Sequence, residues 1–527
     1  MLRARTCLGG MVTAPQHLAA ETGAAVLREG GNAIEAMIAA AATIAVTYPH
    51  MNGIGGDGFW LISRPGEKPV AIEACGPAAA LASVQSYRAE GLEAVPLRGP
   101  KAAITIAGAI AGWQKALEVS AAIGGRLPLR RLLEDAVRHA RDGAPVSSSV
   151  ALRANLKWPE LNEAPGYRET FGINGPLQEA GILRQPALVA TFERFLEAGL
   201  EDFYRGDLAR SMAADLEAAG STLRLADFES YSAKFVEPLQ IRIAAGEVYN
   251  LPPPTQGVTT LMLIKLFESL AVETAETFEH LHGLVESAKR AYLLRDAALG
   301  DPARMRDDCR AWLDDAFIAR EAARIDMAKA SPWPQPSQEG DTIWMGAADA
   351  SGNVVSYIQS LFKDFGSGVV LPGTGVLWHN RGYSFSLRPG PNELGPGRLP
   401  FHTLNPALAR LDDGRTLAFG TMGGDGQPQT LATIFSRHIL FGQDMQAAIT
   451  APRWFLGTRP GETRPTLNLE SRYPEKLVKA MRTAGHDVAL IDPFHDLMGH
   501  AGMLSIDQTG VIRAATDPRS DGSCVGI

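Results

Sequence analysis

Cysteine is scarce in this chain of 527 residues: Cys7, Cys75, Cys309 and Cys524 stand far apart, and none belongs to a CxxC pair. That usage excludes a disulfide scaffold and a thiolate zinc site, and it fits a reducing compartment. Long apolar runs are missing too. The most apolar stretch, Ala33–Thr47, is alanine-rich, contains Glu35 and falls short of the roughly 20 residues a membrane span needs. It reads as a buried helix, and no membrane partner is expected. Residues 1–10 hold two arginines and no apolar run of signal-peptide length, so the expected location is the cytoplasm. Positive charge is not in excess: 50 Lys+Arg stand against 58 Asp+Glu, a formal −8. A nucleic-acid partner would need a local basic patch, and the sequence shows none. What is present, 46% hydrophobic and 20% charged residues, is enough to bury a large core and excludes disorder.

No internal repeat is found, and the proline-rich interruptions are Pro252-Pro253-Pro254 and residues 331–336 (SPWPQP). The second divides the chain. Upstream, apolar residues at i, i+3, i+4 spacing predict helices over 15–28, 129–141, 187–198, 257–270 and 277–294, with a capped helical turn over 227–231. Downstream, strand-length runs joined by Gly/Asn/Asp turns predict three hairpins: 342–350 with 354–360, 407–411 with 416–419, and 503–506 with 511–515. Helices over 430–441, 445–449 and 475–484 intervene. The expected class is α+β, antiparallel strands covered by helices, with the sheet following the proline-rich segment.

Several motifs do not bear their familiar reading. Residues 53–58 (GIGGDG) match GxGxxG, but a helical run precedes them and the strand-like Phe59-Trp60-Leu61-Ile62 follows, the reverse of a dinucleotide loop. A tight glycine turn near a site fits better. The pairs His280/His282 and His495/His500 lack the remaining ligands of a metal set, and no metal or organic cofactor is expected. No serine sits in GxSxG, which removes the α/β-hydrolase elbow. Gly340-Asp341-Thr342, just after the proline-rich segment and at the start of a strand, stands out. A cut before Thr342 would give it a free α-amine with an ordinary pKa near 8, able to act as base for its own hydroxyl.

The chain resembles the γ-glutamyltransferase family of self-cleaving, N-terminal-nucleophile hydrolases along essentially its whole length. The resemblance is carried by nine blocks in order: 10–14, 30–33, 49–50 with 53–58, 252–257, 295–296 with 300–302, 341–353, 365–368, Gly423-Gly424 and 517–520. It implies an αββα sandwich with antiparallel sheets, and a precursor cut between Asp341 and Thr342 into a helix-rich large chain, 1–341, and a small chain, 342–527, that stay intertwined as one domain. It is compatible with a homodimer of such heterodimers. Thr342 would be nucleophile and base, Ser360 the hydroxyl that orients it, and Gly423 with Gly424 the oxyanion donors.

Departures from the family bear on the substrate. Members that act on glutathione use an arginine, an asparagine and an aspartate to hold an amino-acid zwitterion. Here Glu73, Phe362 and Ser384 fall at those places, and His402-Thr403 replace paired serines. Unpaired charge is costly to bury, so a γ-glutamyl group should fit poorly. Arg381, in Trp378-His379-Asn380-Arg381-Gly382, is the candidate to clamp a carboxylate bidentately, with His402 and Thr403 completing it and Phe362 narrowing the pocket. A small acid amide is the expected substrate partner. The profile is similar to the oxamate amidohydrolase branch, associated with bacterial purine-nitrogen breakdown, which implies oxamate going to oxalate and ammonia. Two alternatives stay open: a γ-glutamyl or glutaryl amide hydrolase or transpeptidase, and a member that binds a small acid without turnover.

Overall fold

The computed structural model describes residues 2–333, 340–459 and 462–527. The expected proline-rich divider lies partly outside them, at Pro334, Gln335 and Pro336. Two seven-stranded antiparallel sheets form the centre. The first runs in the spatial order Ser523–Gly526, Gly10–Ala14, Asp341–Asp349, Val354–Phe362, Asp57–Ser63, Val70–Ala74, Lys234–Val236. The second runs Arg5–Cys7, Ile512–Thr516, Ala501–Ile506, Thr416–Thr421, Ala407–Leu411, Gly246–Asn250, Leu239–Ile243. The three expected hairpins are all present as antiparallel pairs.

One expectation needs correction. The sheets do not follow the proline-rich segment: seven of these fourteen strands lie before residue 341, woven between the later ones. Several are only three to five residues long, and Gly10–Ala14 is buried throughout, so it lacks the apolar/polar alternation that marks a half-exposed strand. The helix expected over 430–441 is Gln427–Phe435, continued by a π-helical turn, Ser436–Leu440.

The period-2 alternation of a strand assigns the residues of the first sheet to two different cores. Ile343, Met345, Ala347, Val355, Tyr357 and Leu361 face a layer of helices. Trp344, Ala348, Val354 and Ile358 face the second sheet, where they meet Leu408, Ala418, Leu504 and Ile512. The far side of the second sheet is covered by Gly257–Ser269, Phe278–Ala298 and Gln427–Phe435. Helix, sheet, sheet, helix is therefore the layer order.

Helix Ala33–Thr47 lies under the first sheet, with all 15 residues buried. A capping box starts it: Asn32 accepts from the Glu35 N–H, and Glu35 Oε2 accepts from the Asn32 N–H at 2.8 Å. Its alanines let sheet and neighbouring helices approach closely. Between the sheets Trp344 needs comparable room. A Cβ on Gly420 would stand 2.0 Å from its ring and one on Gly502 2.4 Å, so both positions hold glycine.

Candidate active site

Thr342 and Ser360 belong to paired strands, and alternation places both side chains between the sheets at one end. A register shift between Asp341 and Ile343 lets Asp341 pair with Phe362. The chain is continuous from Asp341 to Thr342, and two hydroxyls converge on the Asp341 carbonyl oxygen: Thr342 Oγ1 at 2.6 Å and Ser360 Oγ at 2.7 Å. The hydroxyls lie 3.1 Å apart, and the Phe362 N–H donates to Ser360 Oγ at 2.7 Å. A polar circuit thus runs from the Phe362 amide through Ser360 to the carbonyl. Thr342 is 1% exposed. Phe362 has φ +82°, a left-handed conformation costly for a bulky side chain. It aims the amide at Ser360.

Gly53–Gly58 closes this end. A Cβ on Gly56 would lie 2.2 Å from the Ser360 carbonyl oxygen and one on Gly55 2.2 Å from that of Leu377. The glycines are there because backbone packs on backbone, with a helix before and the strand Asp57–Ser63 after, as the sequence order required.

Gly423 (φ +126°) and Gly424 (φ +52°) form the turn that opens the 3-10 segment Gly424–Gly426 and then helix Gln427–Phe435. Amides at such a helix start suit a developing oxyanion. Gln256 ties this turn to the His402-Thr403 segment, its Nε2 donating to the carbonyls of Gly424 at 2.9 Å and Thr403 at 2.8 Å. Arg295 fixes Gln256 through Oε1 at 3.0 Å and pairs with Asp425 at 2.9 Å.

Arg381 is buried, and its guanidinium lies 3.8 Å over the Phe362 ring. Nε, Nη1 and Nη2 all lack a hydrogen-bond partner among the described residues. Burial lowers its pKa to about 10, with Asp57 opposing. Asp57 Oδ2 is 3.2 Å from His379 Nδ1 and from His402 Nε2, and Oδ1 accepts from the Gly108 N–H at 3.1 Å. Burial would raise the Asp57 carboxyl, but the two histidines outweigh it and hold it below the usual carboxylate range. His402 is pushed down to about 3 by burial and then by Arg381, so at neutral pH it meets Asp57 as a neutral ring. Thr403 Oγ1, buried beside it in sequence, has no partner among the described residues.

The structure thus links the expected residues in two connected groups: Thr342, Ser360 and Phe362 on the strands, and Arg381 with His402 around Asp57, joined through the Phe362 ring. Ser384 donates to the Arg381 and Phe401 carbonyls at 3.0 and 3.1 Å. Glu73 faces the same inter-sheet end, and burial pushes it up to about 7. Asp57, Gln256 and Asp364 were not singled out from sequence. Asp57 carried a signal, an acid inside a glycine run that opens a strand; Gln256 stood inside the block 252–257 without being read as a site residue, and Asp364 carried none.

Away from this site, His282, Glu286 and His486 bring ligand-type atoms within 4.8 Å of one another. They are already satisfied: His282 Nδ1 meets His486 Nε2 at 2.8 Å, and the Lys289 ammonium sits 2.6 Å from Glu286. An internal cation fills that cluster.

The gamma-glutamyltranspeptidase family profile matches residues 19–527. The oxamate amidohydrolase proenzyme of Klebsiella pneumoniae is 46% identical over 520 residues, covering 98% of both proteins. The glutathione hydrolase-like YwrD proenzyme of Bacillus subtilis is 35% identical over 522 residues, again 98% of both. Among solved structures, the cephalosporin acylase from Bacillus halodurans superposes with a TM-score of 0.92 at 30% identity, covering 100% of this chain and 97% of that one. The four layers are the αββα sandwich of the N-terminal nucleophile hydrolases, and the chain belongs to the gamma-glutamyltranspeptidase family.

Proposed function

We propose that the protein cuts itself between Asp341 and Thr342 and then hydrolyses the amide of a small carboxylic acid, oxamate fitting best. The observation that carries the substrate class is Arg381, a buried guanidinium whose three nitrogens have no hydrogen-bond partner among the described residues. Such a group is expensive to keep unless a ligand pairs with it. A carboxylate beside the scissile amide would pair with it bidentately, and Thr403 Oγ1 would complete the clamp. The 46% identity to an oxamate amidohydrolase proenzyme supports the same reading.

After the cut, Thr342 Oγ1 attacks the amide carbon and its α-amine takes the proton. The amides of Gly423 and Gly424 hold the oxyanion, each worth about 3 kcal/mol in the transition state. Collapse passes the proton to the leaving nitrogen, ammonia departs, and an oxalyl ester remains on Thr342. Water, deprotonated by the α-amine, then releases oxalate. Each step uses this chain's own groups. The two chains remain together because both sheets interleave strands from either side of residue 341. We place the enzyme in the cytoplasm, in keeping with four unpaired cysteines.

The test is ammonia release from oxamate, malonamate, succinamate and glutamine, beside γ-glutamyl and glutaryl anilides, with Thr342→Ala as control. Selective turnover of oxamate by a two-chain wild type, and a single inactive 527-residue chain for the variant, is the expected result. Preferred turnover of an anilide would replace the small-acid reading with an acylase one. Two chains from Thr342→Ala would overturn self-cleavage at this bond.

A further inference from the structure

Beside the bond to be cut lies an acid that the reaction above does not use. Asp364 is buried, and its N–H donates to Asp341 Oδ2 at 3.0 Å, so two acidic residues adjoin the Asp341–Thr342 bond. Its Oδ2 is 3.3 Å from Arg153 Nη1, while Arg153 Nη2 is held by Asp496 at 2.5 Å. Its Oδ1 is buried with no hydrogen-bond partner among the described residues. The charged groups that face Asp364 are Asp341 from the adjoining strand, Arg153 and Lys157 from helix Ser148–Leu161, and Arg98 from the segment before helix Ala109–Ala122. Burial, and then Asp341, push the Asp364 carboxyl up to about 8 against these cations. The Asp341 carboxyl beside it thus adds to burial in disfavouring the charged form of Asp364.

On the other side of the bond, a Cβ on Gly340 would stand 2.9 Å from Gly424 Cα. Gly340 therefore lies against Gly424, one of the two glycines proposed to hold the oxyanion. Cleavage at Thr342 first exchanges the Asp341–Thr342 amide for an ester to Thr342 Oγ1, freeing the α-amine. Water then splits the ester, restoring the hydroxyl and leaving a new α-carboxylate on Asp341.

We propose that Asp364 is a positioning residue for maturation: uncharged, it lets Asp341 seat the scissile carbonyl against Thr342 and Ser360. This rests on the self-cleavage reading. It is tested on full-length precursor made by cell-free synthesis, with cleavage followed by gel from about pH 7 to about pH 9.5. Wild type should slow by about tenfold or more across that range as Asp364 ionises, Asp364→Glu should keep the decline, and Asp364→Asn should stay level. A wild-type rate that holds or rises through this range overturns the role of Asp364 whether or not the variants fold. A small chain whose first residue is not Thr342, or a precursor that never cuts, overturns the cleavage reading itself.

Discussion

Replacing Arg381 with methionine should separate stability from activity, because the two pull in opposite directions at this residue. The guanidinium is 1% exposed with no hydrogen-bond partner among the described residues for any of its three nitrogens. Each buried donor left unsatisfied costs about 1–3 kcal/mol. Against that stand its stack on Phe362 at 3.8 Å, worth about 2 kcal/mol when desolvated, and its attraction to Asp57. Methionine keeps the packing on the ring and removes the orphaned donors, so the substrate-free fold should lose nothing and gain up to about 3 kcal/mol. Turnover should move the other way. Removing one partner of a buried, hydrogen-bonded charge pair costs about 2–5 kcal/mol, hence about 30-fold or more in kcat/KM on an acid amide at about 1.4 kcal/mol per decade. Arg381→Lys should fall between, since an ammonium keeps the charge but not the planar fork. The assay is ammonia release beside calorimetric melting of the processed protein. Wild-type kcat/KM in Arg381→Met on every amide that wild type cleaves would refute the clamp. A melting temperature lowered by many degrees would show the arginine to be structural.

Two further predictions concern the fold around the site. Burial pushes Glu73 up to about 7 from an ordinary 4.5, with Lys234 opposing and Asp301 adding. The native state therefore holds a proton that the unfolded chain has lost, so stability falls as pH rises from about 4.5 to about 7, by up to about 3 kcal/mol, and stays lower above. Glu73→Gln should melt higher than wild type at pH 8 and match it near pH 5; a difference independent of pH would refute this. Gly420→Ala would put a methyl 2.0 Å from Trp344 Cδ1. It should destabilise by about 1–3 kcal/mol or more through overpacking between the sheets, read as a lower melting temperature, and an unchanged one would show that the sheets can part.

The elements that sequence revealed are those whose signal is local. Hairpins with Gly/Asp turns and helices such as Phe278–Ala298 announce themselves by period and punctuation. The early strands did not, because Gly10–Ala14 is buried on both faces and Arg5–Cys7 and Lys234–Val236 span three residues each, so only pairing across long sequence separations defines them. The candidate site divides likewise. Thr342, Ser360 and the glycine pair were legible as motif positions, and Arg381 as a charge in a loop. Asp364 was not, since its character comes from Asp341 and Arg153, 23 and 211 residues away, and from burial that composition does not show.

The proposed replacement of a three-residue zwitterion site by a single arginine is supported by which groups around it are left unpaired. A site that holds an α-ammonium must offer it buried acceptors, and the acids near this end are committed: Asp57 to His379, His402 and the Gly108 amide, and Asp425 to Arg295. Glu73 is carried toward neutrality by burial and offers a protonated carboxyl through part of the physiological range. Beside the Phe362 ring the unpaired groups among the described residues include two donors, the Arg381 guanidinium and the Thr403 hydroxyl. Donors without acceptors select an anion, and a site built to hydrogen-bond one group rejects analogues lacking it by about 10⁴-fold or more. A neutral amide of the same size as oxamate would enter with the guanidinium still orphaned, so its discrimination against oxamate should collapse in Arg381→Met by the loss of oxamate turnover alone. If the neutral amide instead lost as much activity as oxamate did, Arg381 would be shaping the Thr342 end of the cleft through the Phe362 ring rather than holding a carboxylate.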